Sequence, residues 1–256
     1  MRFRGLLLDL DGVFHIGDRL LPGAAGALEF LRTEPIPFRI VTNTTTRSRS
    51  SLVERMRKIG LPLEIEDVIS APRAAVLHLR GLGNPRCRFL LTDDARSEFA
   101  EFENHDDDPS QIVLGDIEDQ VNYALLNSIF NQMMNGSELI ALHKGRFWET
   151  PNGRKVDLGL FVSGLEYTTG KSATVIGKPS PTIYAYALSE LKLDAADCAM
   201  IGDDLHNDVH GAQSAGLTGV LIKTGKYRPG YEVSSDRLPD LILESLSDLS
   251  SLLAKK

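Results

Sequence analysis

Asp9 and Asp11 stand one residue apart behind the apolar run Leu6-Leu7-Leu8, and Gly12 follows at once. Two carboxylates at the exit of a buried segment are costly unless a cation or a proton compensates them. Other polar groups also close apolar runs: Thr42-Asn43 after Phe38 to Val41, and Asp203-Asp204 with Asp208 after Cys198 to Ile201. Lys178 lies between Gly177 and Pro179, just past the apolar segment Ala173 to Ile176. Clustered carboxylates suit Mg2+, a hard cation that prefers oxygen ligands. A hydroxyl, an amide and an ammonium suit the free oxygens of a phosphoryl group. A carboxylate can attack phosphorus to form an aspartyl-phosphate, and a neighbouring acid can protonate the leaving oxygen and later activate water. The parts add up to a hydrolase for a small phosphorylated substrate.

These groups act together only if the fold gathers them, and the patterning says how. Leu6 to Leu8 reads as a strand buried on both faces. Alternation along it sends Asp9 and Asp11 to one side and Leu10 to the other. Val13 to Leu21 reads as a flap or small hairpin. A helix follows Pro22-Gly23, a strand covers Phe38 to Val41, and a helix runs from Arg47 to Ile59. Thr42 to Thr46 offers that helix an N-cap, a role Thr and Asn fill well. Val68 to Ser70 is a short strand, and Ala71-Pro72 opens another helix. Strand–helix alternation is the sign of a parallel sheet, whose sites form at the carboxyl ends of its strands.

A middle region repeats the pattern, with strands expected at Arg88 to Thr92, Gln111 to Leu114 and Glu138 to Leu142, and a helix at Tyr123 to Met134. His143 to Trp148 and Val156 to Phe161 read as loops. The last third returns to the first pattern: a helix with Ile183 and Leu191, the strand before Gly202, a helix from Leu205 to Ala215, a strand at Gly219 to Ile222 and a closing helix. The divisions expected are 1–71 and 176–256 as two parts of a core, with 72–175 as a smaller inserted α/β unit.

Bulk properties narrow the classes. A net charge of −7 and only two cysteines, Cys87 and Cys198, argue against a nucleic-acid footprint, a disulfide framework or a thiolate metal site. No segment approaches the ~20 apolar residues of a membrane helix. The expectation is a soluble, cytoplasmic protein with no nucleic-acid or membrane partner.

The sequences Asp9-Leu10-Asp11-Gly12, Thr42-Asn43, Gly177-Lys178-Pro179 and Gly202-Asp203-Asp204 with Asp208 resemble, in order, the four motifs of the haloacid dehalogenase superfamily. The insert between the second and third motifs resembles the subfamily with a type-two cap, which includes the NagD-like phosphatases. Within it, the likeness is to the branch of phospholysine phosphohistidine inorganic pyrophosphate phosphatases and their hydrolase-domain relatives. The resemblance implies an α/β fold: a doubly wound parallel-sheet, Rossmann-like core with an inserted smaller α/β cap domain. It implies Asp9 as nucleophile and Mg2+ ligand, and Asp11 as general acid and base whose backbone carbonyl faces the metal. Thr42, Asn43 and Lys178 would bind the phosphoryl group, and Asp203 would be the third protein ligand. Asp208 would orient the site from behind, and Asp204, where many relatives have a neutral or basic residue, is placed there too. The cap would act as a lid, with Val156 to Phe161 reaching the active site, and as the surface of a homodimer.

Other readings are open at this stage. A phosphate-binding regulatory protein would share the motifs but lack turnover, and a phosphomutase would share the first chemical step. Gly164 to Ser172 ends like a P-loop, but its spacing is one residue too long. His206 and His210 have metal-ligand spacing on a helix, yet exposed or capping roles are more common. His15 and His143 have no partner identifiable in the sequence.

Overall fold

Strand β1 (Gly5–Leu8) is buried along its whole length, as three consecutive leucines require. It is followed by a hairpin of β2 (His15–Ile16) and β3 (Arg19–Leu20). Helix α1 (Ala24–Thr33) turns Ala24, Ala27, Leu28 and Leu31 inward and stops ahead of Pro35, where the residue before a proline disfavours helix. Strand β4 (Phe38–Thr42), helix α2 (Arg49–Lys58) and strand β5 (Val68–Ser70) complete this first portion. The cap of α2 is Ser48, whose Oγ accepts from the Ser51 amide at 3.2 Å, so the Thr42 to Thr46 stretch does not supply it.

The middle portion holds α3 (Ala71–Gly81), β6 (Cys87–Leu90), α4 (Asp93–Arg96), β7 (Gln111–Leu114), α5 (Tyr123–Met134) and β8 (Glu138–Ala141). Strands β9 (Phe147–Thr150) and β10 (Gly153–Val156) pair antiparallel, and α6 (Gly159–Thr169) and β11 (Thr174–Val175) follow. The chain ends with α7 (Pro181–Leu191), β12 (Cys198–Gly202), a π-helical turn at Leu205–His210, α8 (Gly211–Ser214), β13 (Thr218–Ile222), β14 (Leu241–Leu243) and α9 (Leu249–Ala254). This computed structural model describes residues 3–150, 153–230 and 237–254, and among the described residues no helix is long and apolar enough to cross a membrane.

Residues 1–42, 52–69 and 178–256 make one compact unit and residues 43–51 and 70–177 another. The first unit is built on a six-stranded sheet in the order β14-β13-β12-β1-β4-β5. The pairings from β14 through β4 are all parallel. The chain leaves β1 toward β4 and β5 and returns on its other side at β12, so the strand order reverses between β1 and β12. In open parallel sheets that reversal opens a crevice at the strands' carboxyl ends. Leu6, Leu7 and Leu8 are all fully buried there, each contributing roughly 1.5–3 kcal/mol.

The second unit has its own parallel sheet, β11-β8-β7-β6, and its own core of Ile112, Leu114, Ile129, Met133, Val162 and Leu165. Residues 43–51 are tied to it by side chains. Thr92 donates to Thr46 O at 2.8 Å, Ser48 and Ser51 donate to Asp94 at 2.7 and 2.9 Å, and Arg49 pairs with Glu98 at 3.2 Å. The β9–β10 hairpin joins the two stretches read as loops, His143 to Trp148 and Val156 to Phe161, and takes in the end of the first and the start of the second. All of β10 is exposed, so no apolar alternation announces it. The side chain of Trp148 lies outside the described residues.

Candidate active site

Asp9 follows β1 and Asp203 follows β12, adjacent strands at the crevice. Leu8 pairs with Ile201 in register, and the Asp9 amide donates to Ile201 O at 2.9 Å. Asp9, Asp203 and Asp208 each bring a carboxylate oxygen to within 4.8 Å of the other two. They are 7%, 1% and 0% exposed, so water does little to offset their mutual repulsion.

A π turn brings Asp208 into this group. The amides of Asp208 and Val209 both donate to Asp204 O, at 2.9 and 3.3 Å, and Asp208 Oδ2 accepts from the Asp204 amide at 3.1 Å. Gly202 leaves the space that the Asp208 carboxyl fills. Tyr184 of α7 steadies the turn by donating its hydroxyl to Asn207 O at 2.7 Å. Removing that hydroxyl in Tyr184→Phe is expected to cost about 1 kcal/mol in urea denaturation, the typical net value of one hydrogen bond. Unchanged stability would show that the turn holds itself.

Lys178 is 3% exposed and sits between the acids, 2.6 Å from Asp9 Oδ1 and 2.7 Å from Asp208 Oδ1, donating also to Val41 O at 2.9 Å. Burial works against its ammonium, but Asp208 and Asp9 outweigh that and hold its pKa above the usual lysine value. Burial, reinforced by Asp208, pushes the Asp9 carboxyl up to about 7 despite Lys178. Burial and the charges of Asp9 and Asp208 likewise raise Asp203 well above the carboxylate range.

A loop outside the four motifs completes the group. The Lys226 amide donates to Asp203 Oδ2 at 2.7 Å, and Thr224 Oγ1 donates to Gly12 O at 2.6 Å. Between them Gly225 has φ +52, and a Cβ there would overlap Asp203 Oδ2 and come within 2.6 Å of Gly12 Cα. Gly225→Ala is therefore expected to displace Asp203 and lower kcat/KM on an aryl phosphate by roughly 100-fold, the scale of an ångström-sized misplacement. Activity within threefold of the parent would mean that the loop does not set Asp203.

The remaining residues separate. Asp11 lies beyond the strand, in a turn: β1 ends at Leu8, Leu10 O accepts from the Val13 and Phe14 amides, and Gly12 has φ +82. A turn rather than strand alternation therefore sets the pair; the Asp11 side chain is 62% exposed, and its charge adds to the upward push on Asp9. Asp204 stands apart from the acid cluster as the cap of the π turn. Its Oδ1 accepts from the His206 and Asn207 amides at 3.0 Å each, and its Oδ2 from Asn207 Nδ2 and Lys226 Nζ at 2.9 Å each. Burial works against its charge, but Lys226 and those amides hold its carboxyl below the usual range. An aspartate directly before a helical turn was the available signal for this role. Thr42 is buried at the end of β4 in the first unit, and Asn43 begins the second. A Cβ on Gly177 would lie 2.6 Å from Asn43 Oδ1, so that glycine gives the amide its place. His206 and His210 stack edge to face, and His210 Nε2 contacts Arg237 O at 2.8 Å. His143 lies 3.6 Å from Asp157.

The donor set fits a divalent cation. Three buried carboxylates against the one ammonium of Lys178 leave an excess of two negative charges. Asp203 Oδ1 is buried with no hydrogen-bond donor among the described residues. Without such an ion the raised acids have a consequence with a definite sign. Between pH 4 and 7 the folded chain keeps protons on Asp9 and Asp203 that the unfolded chain has released, so stability falls as pH rises. In chelator, unfolding free energy is expected to drop across this range, by up to about 4 kcal/mol for Asp9. Urea midpoints that rise or stay level from pH 4.5 to 7.5, relative to Asp9→Asn, would contradict it.

Comparison with known proteins supplies the family context. Residues 6–104 match the model of the haloacid dehalogenase-like hydrolases, and residues 175–249 match a second, HAD-hydrolase-like model. Haloacid dehalogenase-like hydrolase domain-containing protein 2 of Rattus norvegicus is 38% identical over 242 residues, covering 94% of this chain and 92% of its own. Phospholysine phosphohistidine inorganic pyrophosphate phosphatase of Bos taurus is 33% identical over 256 residues, covering 98% and 94%. Among solved structures, a p-nitrophenyl phosphatase from Archaeoglobus fulgidus superposes with a TM-score of 0.91 at 26% identity, covering 98% of this chain and all of that one.

Proposed function

Because the chain belongs to the haloacid dehalogenase-like hydrolases, in their NagD-like branch of phosphatases, we propose that it hydrolyses a small phosphorylated substrate with Mg2+ through an aspartyl-phosphate on Asp9. The observation that carries this reading is the buried group of Asp9, Asp203, Asp208 and Lys178 at the carboxyl ends of β1 and β12.

In the first step an Asp9 carboxylate oxygen attacks phosphorus and the bond to the leaving oxygen breaks. Asp11 gives that oxygen a proton. In the second step Asp11 takes a proton from water as the water attacks the same phosphorus, releasing inorganic phosphate and restoring Asp9. Thr42 and Asn43 hold the free phosphoryl oxygens, and Lys178 keeps its charge beside Asp9 throughout. Asp9 and Asp203, with the Asp11 carbonyl, would hold Mg2+, which would supply positive charge to offset the anion that develops on the phosphoryl group. Lys226 fixes Asp203, and Asp208 fixes Lys178, so most of the protein's work is positioning and charge compensation.

The relatives' names speak of phospholysine, phosphohistidine, pyrophosphate and nitrophenyl phosphate. Phosphoramidates, pyrophosphate and aryl phosphates are accordingly the first substrates to try. The test is phosphate release from 4-nitrophenyl phosphate with Mg2+, repeated with phospholysine, phosphohistidine and pyrophosphate. Release that requires Mg2+ supports the reading. No turnover on any of them, with the ligands still raising the melting temperature, would instead favour a phosphate-binding protein.

A further inference from the structure

We propose that His15 is a positioning residue that fixes the Asp11 carboxyl for proton delivery to the leaving oxygen, an inference that rests on the reading of Asp11 as general acid. His15 is fully buried, whereas the Asp11 side chain is 62% exposed. A proton donor at a tight turn must be held in one orientation. The imidazole supplies the hold. Its Nδ1 donates to Gly17 O at 2.8 Å, which points Nε2 away from the hairpin. Nε2 lies 3.4 Å from Asp11 Oδ1 and has no hydrogen-bond partner closer among the described residues.

The hairpin that carries His15 is anchored at both ends. Gly12 N donates to His15 O at 2.8 Å, and Arg55 of α2 donates to Gly17 O and Asp18 Oδ1 at 2.9 Å each. Gly17 O therefore receives the imidazole and the guanidinium together. A proton on Nε2 holds Oδ1, and a second proton, carried on Asp11 Oδ2, is the one the leaving oxygen receives. A gap of 3.4 Å exceeds a formed hydrogen bond, as catalytic contacts often do before substrate tightens them. A histidine kept only for packing would have no reason to turn a buried, otherwise unanswered nitrogen toward the acid.

Two substitutions separate the ring's contacts. The amide of His15→Asn overlays Nδ1, keeping the bond to Gly17 and losing reach to Asp11. The amide of His15→Gln overlays Nε2 and reaches Asp11. The readout is kcat/KM, which covers the steps through loss of the leaving group, across phenyl phosphates from the unsubstituted ring to 2,4-dinitrophenyl. The unsubstituted phenolate needs its proton most and the dinitrophenolate least. His15→Asn is expected to lose about 10- to 100-fold on phenyl phosphate and under about threefold on the dinitro compound. His15→Gln is expected to keep the parent's slope. In an Asp11→Asn background, His15→Asn should change the slope no further. Equal losses along the series, or an additional change without Asp11, would overturn the proposal while leaving the phosphatase reading intact. An inert parent protein would overturn both.

Discussion

Asp9→Asn is expected to abolish turnover, by on the order of 10^4-fold or more in kcat, while making the metal-free protein more stable above pH 7. Loss of a nucleophile has effects of this size because the residual rate comes only from binding and from the rest of the site. The gain in stability follows from the same burial. Asp9 is held at about 7 by burial and by Asp208, so its ionised form is a liability to the fold that an amide of the same shape does not carry. Steady-state assay on 4-nitrophenyl phosphate and urea denaturation at pH 8 in chelator check the two halves. Activity within tenfold of the parent would remove Asp9 from the chemistry. A less stable variant would show that the carboxylate is not the strained member of the cluster.

Lys178→Met is expected to be the most damaging single change to both fold and activity. The ammonium is in contact with Asp9, Asp208 and the Val41 carbonyl, all in a site that excludes water. Removing one partner of a buried ion pair costs roughly 3–5 kcal/mol because the other is left uncompensated. Here the cost depends on pH. At low pH Asp9 is protonated, and as pH rises it must ionise without its partner, so the deficit grows toward neutrality. Denaturation of parent and variant at pH 5 and pH 8 measures this. A deficit that is constant or shrinks with pH would contradict the pairing. Activity is expected to fall by at least the factor for Asp9→Asn with folding verified by circular dichroism, since the attacking oxygen loses the contact that orients it.

Much of the frame was legible because local chemistry and global fold agree in it. Gln111–Leu114 and Tyr123–Met134 form a strand and a helix with the bounds their patterning indicates, and three leucines before an aspartate make a strand buried on both faces. The acids at the ends of β1 and β12 could be read as one site because parallel strands present their exits on one edge. What stayed hidden depends on contacts distant in sequence. Thr224 to Lys226 reaches Gly12 and Asp203 across the crevice, and nothing local in a Thr-Gly-Lys tripeptide announces that. Asp11 is set by the turn at Gly12, which alternation along an imagined longer strand conceals. The helix expected from Leu205 begins as a π turn, since Asp204 caps it and Asp208 must reach back toward Lys178. The β9–β10 hairpin and β14 were missed for a different reason: β10 is exposed throughout and β14 is only three residues long.

The most direct measurement is to find where phosphorus resides during turnover. Radiolabelled aryl phosphate is mixed with the Asp11→Asn variant, whose second step lacks its base, and the reaction is quenched in acid within milliseconds. Peptide mapping is expected to place the label on the peptide bearing Asp9, with release by hydroxylamine as for an acyl phosphate. Label on another residue, or an active parent whose quenched variant carries none while releasing a full equivalent of phenol, would contradict covalent attack by Asp9.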